Sequence, residues 1–212
     1  MKDVIIVCAG TYGREALSII KATNKRDEQQ GKEKTYNLLG FIDDNLDAFK
    51  GTDVTVPILG RISDWKPIKD EVYVIGSAFP QAKVKLTSEL KERGCQFETL
   101  IAPWSIVSDD CKIGEGCFIT AHSISACVEL GDFVNVNGSI LAPGAVIDDY
   151  STITGFAVVE EAKVGKRVFV GSHAVIGSGV YVGDDAQVSV GSIVTKDIRA
   201  GSTVFGVPAQ EI

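Results

Sequence analysis

Histidine is nearly absent from this chain of 212 residues: His122 and His173 are the only two. A zinc site built from three histidines of one chain is therefore excluded, and any histidine acting as a base must be one of this pair. Cysteine is sparse and odd in number, at Cys8, Cys95, Cys111, Cys117 and Cys127, with no CxxC pair. That pattern predicts small free thiols packed inside the fold, in a reducing compartment, rather than a disulfide framework or a metal cluster. Long apolar runs are missing as well. Stretches such as Val4–Ala9 are far too short to span a bilayer, and no signal-peptide pattern opens the chain, which implies a cytoplasmic protein without membrane insertion. Basic excess is absent too: the formal net charge is −7, which argues against nucleic acid as the main partner. What is present suffices for a globular protein, with 45% hydrophobic and 23% charged residues in a length that suits one large domain or two small ones.

The chain divides near Pro103 into halves with different patterning. Residues 1–102 carry 15 Lys+Arg against 15 Asp+Glu, whereas 103–212 carry 6 against 13, so all the excess negative charge lies in the second half. The first half alternates strand and helix signals. Asp3–Cys8, Leu38–Ile42, Val72–Ile75 and Phe97–Ile101 read as strands. Arg14–Ala22 and Pro80–Arg93 read as helices, the latter stopped by Gly94, and polar Asn24–Lys34 reads as a helix end or surface loop. This alternation predicts a small parallel sheet of Rossmann type, an α/β unit.

The second half is read as all-β, with an internal repeat. Ile113-Gly-Glu, Leu130-Gly-Asp, Ile147-Asp-Asp, Val164-Gly-Lys and Val182-Gly-Asp recur at 17, 17, 17 and 18 residues. Within each unit an aliphatic residue returns about every sixth position, most clearly at Val164, Val170, Ile176, Val182 and Val188. Three six-residue faces make a coil of about 18 residues, a triangular parallel β-helix with aliphatic side chains inward and small residues at the corners.

Hexapeptide repeats behind a small Rossmann-like unit resemble the bacterial sugar acyltransferases, in the branch of sialic-acid O-acetyltransferases and UDP-4-amino-sugar N-acetyltransferases. The resemblance covers essentially the whole chain. It rests on the glycine-rich opening from Val4 to Leu17, the acidic strand end Gly40-Phe-Ile-Asp-Asp44, and the closing stretches Val194-Thr-Lys-Asp-Ile198 and Gly206-Val-Pro-Ala209. It implies a left-handed β-helix in a homotrimer, acetyl-CoA as co-substrate along the helix at a subunit boundary, and a sugar nucleotide held by residues 1–102. Gly10, Thr11, Tyr12 and Gly13 follow a strand and open a helix, where backbone N–H groups can meet phosphates; a tight strand–helix turn is the alternative. Asp43 and Asp44 suit ribose or base hydrogen bonds, or equally a cap or turn. On the CoA side the resemblance points to Ser172, Val190, Gly191, Ser192 and Lys196, with Lys166, Arg167 and Arg199 as further cations for the CoA phosphates.

One departure bears on mechanism. The branch keeps a catalytic histidine and an acidic neighbour in a stretch resembling Asn137–Ile147, and here Pro143 stands in the histidine column with Ala142 beside it. Tyr12 and Ala102 stand where two further family histidines occur. His122 and His173, each nine residues after its repeat aliphatic, are expected in one column three coils apart, roughly 14 Å at about 4.8 Å per coil. They are the remaining candidate catalytic residues, and neither shares the column of Pro143. The readings that stay open are an acyltransferase with a relocated base, acylation of an amine that binds already neutral, a relative that binds CoA or sugar nucleotide without turnover, and a trimeric scaffold.

Overall fold

The computed structural model describes residues 1–68 and 70–212. The chain forms two compact units, Met1–Ala78 with Ala82–Pro103, and Phe79–Gln81 with Trp104–Ile212.

In the first unit β1 (Lys2–Val7), β2 (Tyr36–Ile42), β3 (Ile58–Gly60), β4 (Glu71–Ile75) and β5 (Gln96–Phe97) make one parallel sheet in the order β3-β2-β1-β4-β5. This is the order of a doubly wound sheet, whose ligands bind beyond the carboxyl ends of the strands. Val4 to Val7 are fully buried, as a central parallel strand requires. Helix α1 runs Thr11–Gln29 and buries Ala16, Leu17, Ile19 and Ile20. It is longer than the apolar pattern indicates, and the stretch from Asn24 to Gln29 is helical rather than loop. Its polar side chains are used: Asn24 pairs with both backbone groups of Tyr36 (2.8 and 3.0 Å), and buried Asp27 accepts the Thr35 N–H and hydroxyl (3.0 and 2.7 Å). The helix end thereby anchors the start of β2. Strand β3 gives no signal in the sequence, being three residues long. Helix α2 (Pro80–Glu92) stops at Gly94, which sits at φ +90.

The second unit is a parallel β-solenoid. One wall stacks Lys112–Ile113, Glu129–Leu130, Val146–Ile147, Lys163–Val164 and Tyr181–Val182. The repeat residues Ile113, Leu130, Ile147, Val164 and Val182 are thus direct neighbours. A second wall runs from Phe118–Thr120 to Thr203–Gly206 and ends in an antiparallel strand, Ala209–Glu211. A third stacks Ile106–Val107, Ser123–Ile124, Ile140–Leu141, Val158–Val159, Val175–Ile176 and Ile193–Val194. The inward residues Val164, Val170, Ile176, Val182 and Val188 are buried to within 1%.

The Gly-Asp half of the repeat has a geometric cause. Asp132 Oδ1 accepts the N–H of Glu115 one coil below, Asp149 Oδ1 that of Asp132, and Asp184 Oδ1 that of Lys166, each at 3.0 Å. The carboxylate lies where a Cβ on the glycine below would stand: at Gly165 that Cβ would be 2.5 Å from Asp184 Oδ1, and Gly114 and Gly131 meet Asp132 and Asp149 in the same way. Asp148 breaks the glycine rule because the coil above it carries Lys166 in place of a capping carboxylate. The Lys166 ammonium instead reaches back to Asp149 Oδ2 at 2.8 Å.

Candidate active site

The glycine loop of the first unit forms at the carboxyl end of β1. Cys8, in the place where a dinucleotide-binding loop has its first glycine, takes the glycine-favouring backbone, φ +75. A Cβ on Gly13 would collide with the Cys8 carbonyl, and one on Gly76 would come 2.6 Å from the Gly13 Cα. Gly13 is therefore demanded by packing. Gly10 is exposed, with open space around it, and serves as the N-cap of α1. Thr11 is exposed and Tyr12 partly so. Asp43 and Asp44 lie at the carboxyl end of β2 and brace this edge. Asp43 Oδ2 accepts the Ala9 N–H (2.7 Å) and Oδ1 the Asn45 N–H (2.8 Å), while Asp44 Oδ1 accepts the Ser63 N–H at 3.1 Å. Both carboxylates already hold the loops around the edge, so any ligand contact uses their remaining lone pairs. The Cys8 thiol is pushed up to about 12 by burial, reinforced by Asp43 and Asp44, which makes it inert as a nucleophile. Glu15, one turn into α1, is raised by burial, and sequence reading did not single it out.

In the solenoid the two histidines are exposed, and their shared column does not survive in full. Both lie three residues beyond an inward residue of the second wall, Ile119 and Val170. However, Ile119 to Ile124 and Val136 to Leu141 are five residues apart, whereas the corresponding steps from Ile153 onward are six. Counted back from the third wall, His122 is level with Ala174 and not with His173. The shortened corner moves it by one position. His173 occupies a left-handed corner (φ 59) and stacks on Phe156, with ring centroids 5.2 Å apart.

Ser172, Val190, Gly191 and Ser192 gather on that same corner. The Gly191 N–H reaches the Ser172 carbonyl at 2.9 Å, and the Ser172 hydroxyl lies 3.3 Å from that of Thr154. Ser192 is buried, with its hydroxyl unpaired among the described residues. Lys196 is not part of this group. It stands on the corner that holds Pro143, three coils on, roughly 14 Å away at about 4.8 Å per coil. Lys166 and Arg167 are held by Asp149 and Asp185, and Arg199 by Glu211, each at 2.5 to 2.8 Å. Lys196 has no ion pair among the described residues, which leaves it free for a phosphate.

At the Pro143 corner the structure adds a residue that sequence reading missed. Between Val159 and Val164 this corner is one residue shorter than in neighbouring coils, and it presents Glu160 and Glu161, both exposed. The three atoms nearest to a Cβ built on Gly144 all belong to Glu161, at 3.4 to 3.8 Å. A carboxylate thus leans on the residue beside Pro143. The outer face of the third wall is largely apolar, formed by Ile106, Ile140, Val158, Val175 and Ile193, with Ser123 between Ile106 and Ile140 and Phe156 (72% exposed) at its edge. The first-described wall instead shows Lys112, Glu129 and Lys163 to solvent.

A parallel α/β sheet followed by a parallel β-solenoid defines a hexapeptide-repeat protein of two units. The chain belongs to the family described as GMPPB C-terminal domain, whose model matches residues 80–201. Among curated proteins it is 25% identical over 153 residues to the bifunctional protein GlmU of Alkaliphilus metalliredigens, a match covering 60% of this chain and 32% of that one. The chain therefore spans about a third of the length of that relative. Among solved structures, a variant of perosamine N-acetyltransferase from Caulobacter crescentus, in complex with CoA and GDP-perosamine, superposes with TM-score 0.86 at 20% identity, covering 100% of this chain and 97% of that one. WeeI from Acinetobacter baumannii superposes over 100% of both chains with TM-score 0.78 at 26% identity. The resemblance to hexapeptide-repeat sugar acyltransferases is borne out at the level of fold. Among the described residues no helix is long and apolar enough to cross a membrane, and no three acidic, histidine or cysteine side chains are grouped to hold a metal ion.

Proposed function

We propose that the chain is an acyl-CoA-dependent acyltransferase that moves an acetyl or related acyl group onto an amino group of a nucleotide-linked sugar. The observation that carries this reading is the full-length superposition of both units on an N-acetyltransferase solved with CoA and a nucleotide-linked amino sugar. In this reading the unit of residues 1–102 holds the sugar nucleotide at Gly10, Thr11, Tyr12, Gly13, Asp43 and Asp44. The β-helix of 103–212, left-handed in this reading, holds acetyl-CoA at Ser172, Val190, Gly191 and Ser192, with Lys196 meeting a phosphate. The apolar third wall supports association between subunits, because a largely aliphatic face is stable in water only when covered; in this reading the assembly is a cytoplasmic homotrimer.

An amine attacks the thioester carbonyl, forms the C–N bond through a tetrahedral oxyanion, and expels the CoA thiolate. The amine proton must leave during this sequence. Pro143 offers no basic lone pair. Glu161, on the next coil, accepts the proton in this reading and passes it to the thiolate or to water. His122 and His173 lie on the corner that holds Ser172 and Gly191, a different corner from Glu161, so in this reading CoA and Glu161 come together only across a subunit boundary.

The test is mass spectrometry of nucleotide-linked amino sugars incubated with the protein and acetyl-CoA. The expected product is heavier by one acetyl group. Glu161→Gln should lower kcat by about 100-fold with KM held, the usual size of a general-base effect, while His122→Ala and His173→Ala leave kcat within about twofold. CoA binding without product across the panel would support the binding-module reading. Failure to bind either ligand in calorimetry would support the scaffold.

A further inference from the structure

We propose that Arg61 reads the nucleobase of the bound nucleotide, and that the base it selects is guanine. This rests on the reading of residues 1–102 as a sugar-nucleotide unit, and goes beyond it by naming the base and the residue that chooses it. Arg61 follows directly on β3, the edge strand beside β2, at its carboxyl end. Its backbone is fixed on both sides. The Gly60 carbonyl accepts the Asp43 N–H at 3.0 Å, and the Ser63 N–H is held by Asp44 Oδ1 at 3.1 Å. Ile62 is buried, and its carbonyl accepts from Arg93 Nη1 at 2.6 Å. The Arg61 side chain is exposed and turns back across the end of β2, where Nη1 donates to the Asp44 carbonyl. It makes no other hydrogen bond and no ion pair among the described residues. The edge formed by Nε and Nη2 therefore stays open. It is by these same two atoms that Arg167 grips Asp185, at 2.8 and 2.7 Å.

Sheet geometry sets what this cation meets. Neighbouring strands lie about 4.8 Å apart, so the carboxyl ends of β1, β2 and β3 make a ruler about 10 Å long. In the sugar-nucleotide reading, the loop Gly10–Gly13 at the β1 end takes the phosphates, and Asp43 and Asp44 at the β2 end take the ribose hydroxyls with their remaining lone pairs. A nucleotide laid in that direction brings its base to the β3 end. The phosphates then lie two strands away from Arg61, and its guanidinium is left to the base. A guanidinium only donates, in a planar fork. Guanine sets two acceptors side by side, O6 and N7, and occupies both arms of the fork. Adenine puts an amino group beside N7, and uracil an N–H beside O4, so neither matches the open edge.

Calorimetry with nucleoside diphosphates tests this without any acyl transfer. GDP should bind about 5- to 150-fold more tightly than UDP, CDP or ADP, the span of one bidentate pair. Inosine diphosphate, which keeps O6 and N7, should stay within about threefold of GDP, while the 7-deaza analogue of GDP falls toward UDP. Arg61→Lys keeps the charge without the fork; it should bring GDP down to UDP and leave UDP within about threefold of its parent value. Equal affinity of the parent protein for GDP and UDP, a preference for ADP or CDP, or no loss with the 7-deaza analogue would overturn the proposal. So would an equal loss of GDP and UDP in Arg61→Lys, which marks a phosphate contact. Each of these results leaves the sugar-nucleotide reading standing. Binding of none of the diphosphates would overturn that reading, and the base assignment with it. The parent protein and the analogues carry the test even where the variant does not fold.

Discussion

Gly131→Ala puts the geometry of the repeat to a direct test. In most surface positions with unstrained dihedrals, Gly→Ala stabilises by about 0.4–1 kcal/mol through the unfolded chain. Gly131 is not in the left-handed region, so that gain applies. Against it, the new methyl would overlap Asp149 Oδ1 and lie 2.8 Å from the Asp149 backbone N. The carboxylate must swing away, and the Asp132 N–H then loses its acceptor at 3.0 Å. Losing a hydrogen bond to a charged acceptor costs about 1.5–3 kcal/mol, and overpacking adds about 1–3 kcal/mol. We expect a net loss of about 1.5–5.5 kcal/mol, read as a lower urea midpoint at constant slope and fixed protein concentration. Gly155→Ala is the internal control, because the nearest atom to its Cβ is 3.9 Å away; it should be neutral or mildly stabilising. Asp149→Ala should cost less in the Gly131→Ala background than alone, since the clashing carboxylate is already displaced. Equal midpoints for Gly131→Ala and Gly155→Ala would refute the reasoning.

Three further outcomes follow from the structure. Burial opposes ionisation of Asp149, yet Lys166 and the Asp132 N–H hold its carboxyl below the usual range, and Arg167 does the same for Asp185. A depressed carboxyl adds stability above its unfolded value near 4 that is lost as pH falls, so the urea midpoint should drop between about pH 5 and 3, and less steeply in Asp149→Asn. Among the thiols, Cys127 is raised by its hydrogen bond to Asp110 yet is the exposed one and should react first with a disulfide reagent at pH 8, while Cys8 and Cys95, less accessible and pushed up to about 12 and about 11, lag behind in mass-resolved labelling. Val175→Asp on the outer third wall should shift sedimentation toward a single chain if that wall joins subunits, with circular dichroism unchanged; sedimentation equal to the parent would refute the assembly role.

The period of the solenoid is readable in sequence because each wall residue meets the same chemical demand every coil. Ile113, Leu130, Ile147, Val164 and Val182 all need an aliphatic side chain inward, and Gly114 and Gly131 need room for the carboxylate above. The first unit is readable to a similar depth through β1 and α1, whose burial follows their apolar residues. The helix past Ala22 is not, because Asn24 and Asp27 look like loop residues until Tyr36 and Thr35 arrive as partners. For the site, the loop from Gly10 to Gly13 and the pair Asp43 and Asp44 are legible as positions. That both carboxylates already accept backbone N–H groups is not.

Local periodicity by itself thus determined a strand–helix unit, a coil of three six-residue faces and inward aliphatics. Only the tertiary structure decided which residues stand beside one another across coils. A single missing residue at a corner shifts the residues of that corner against those of the neighbouring coils without disturbing the inward pattern. For that reason His122 parts from His173, and Glu161 comes to rest against Gly144.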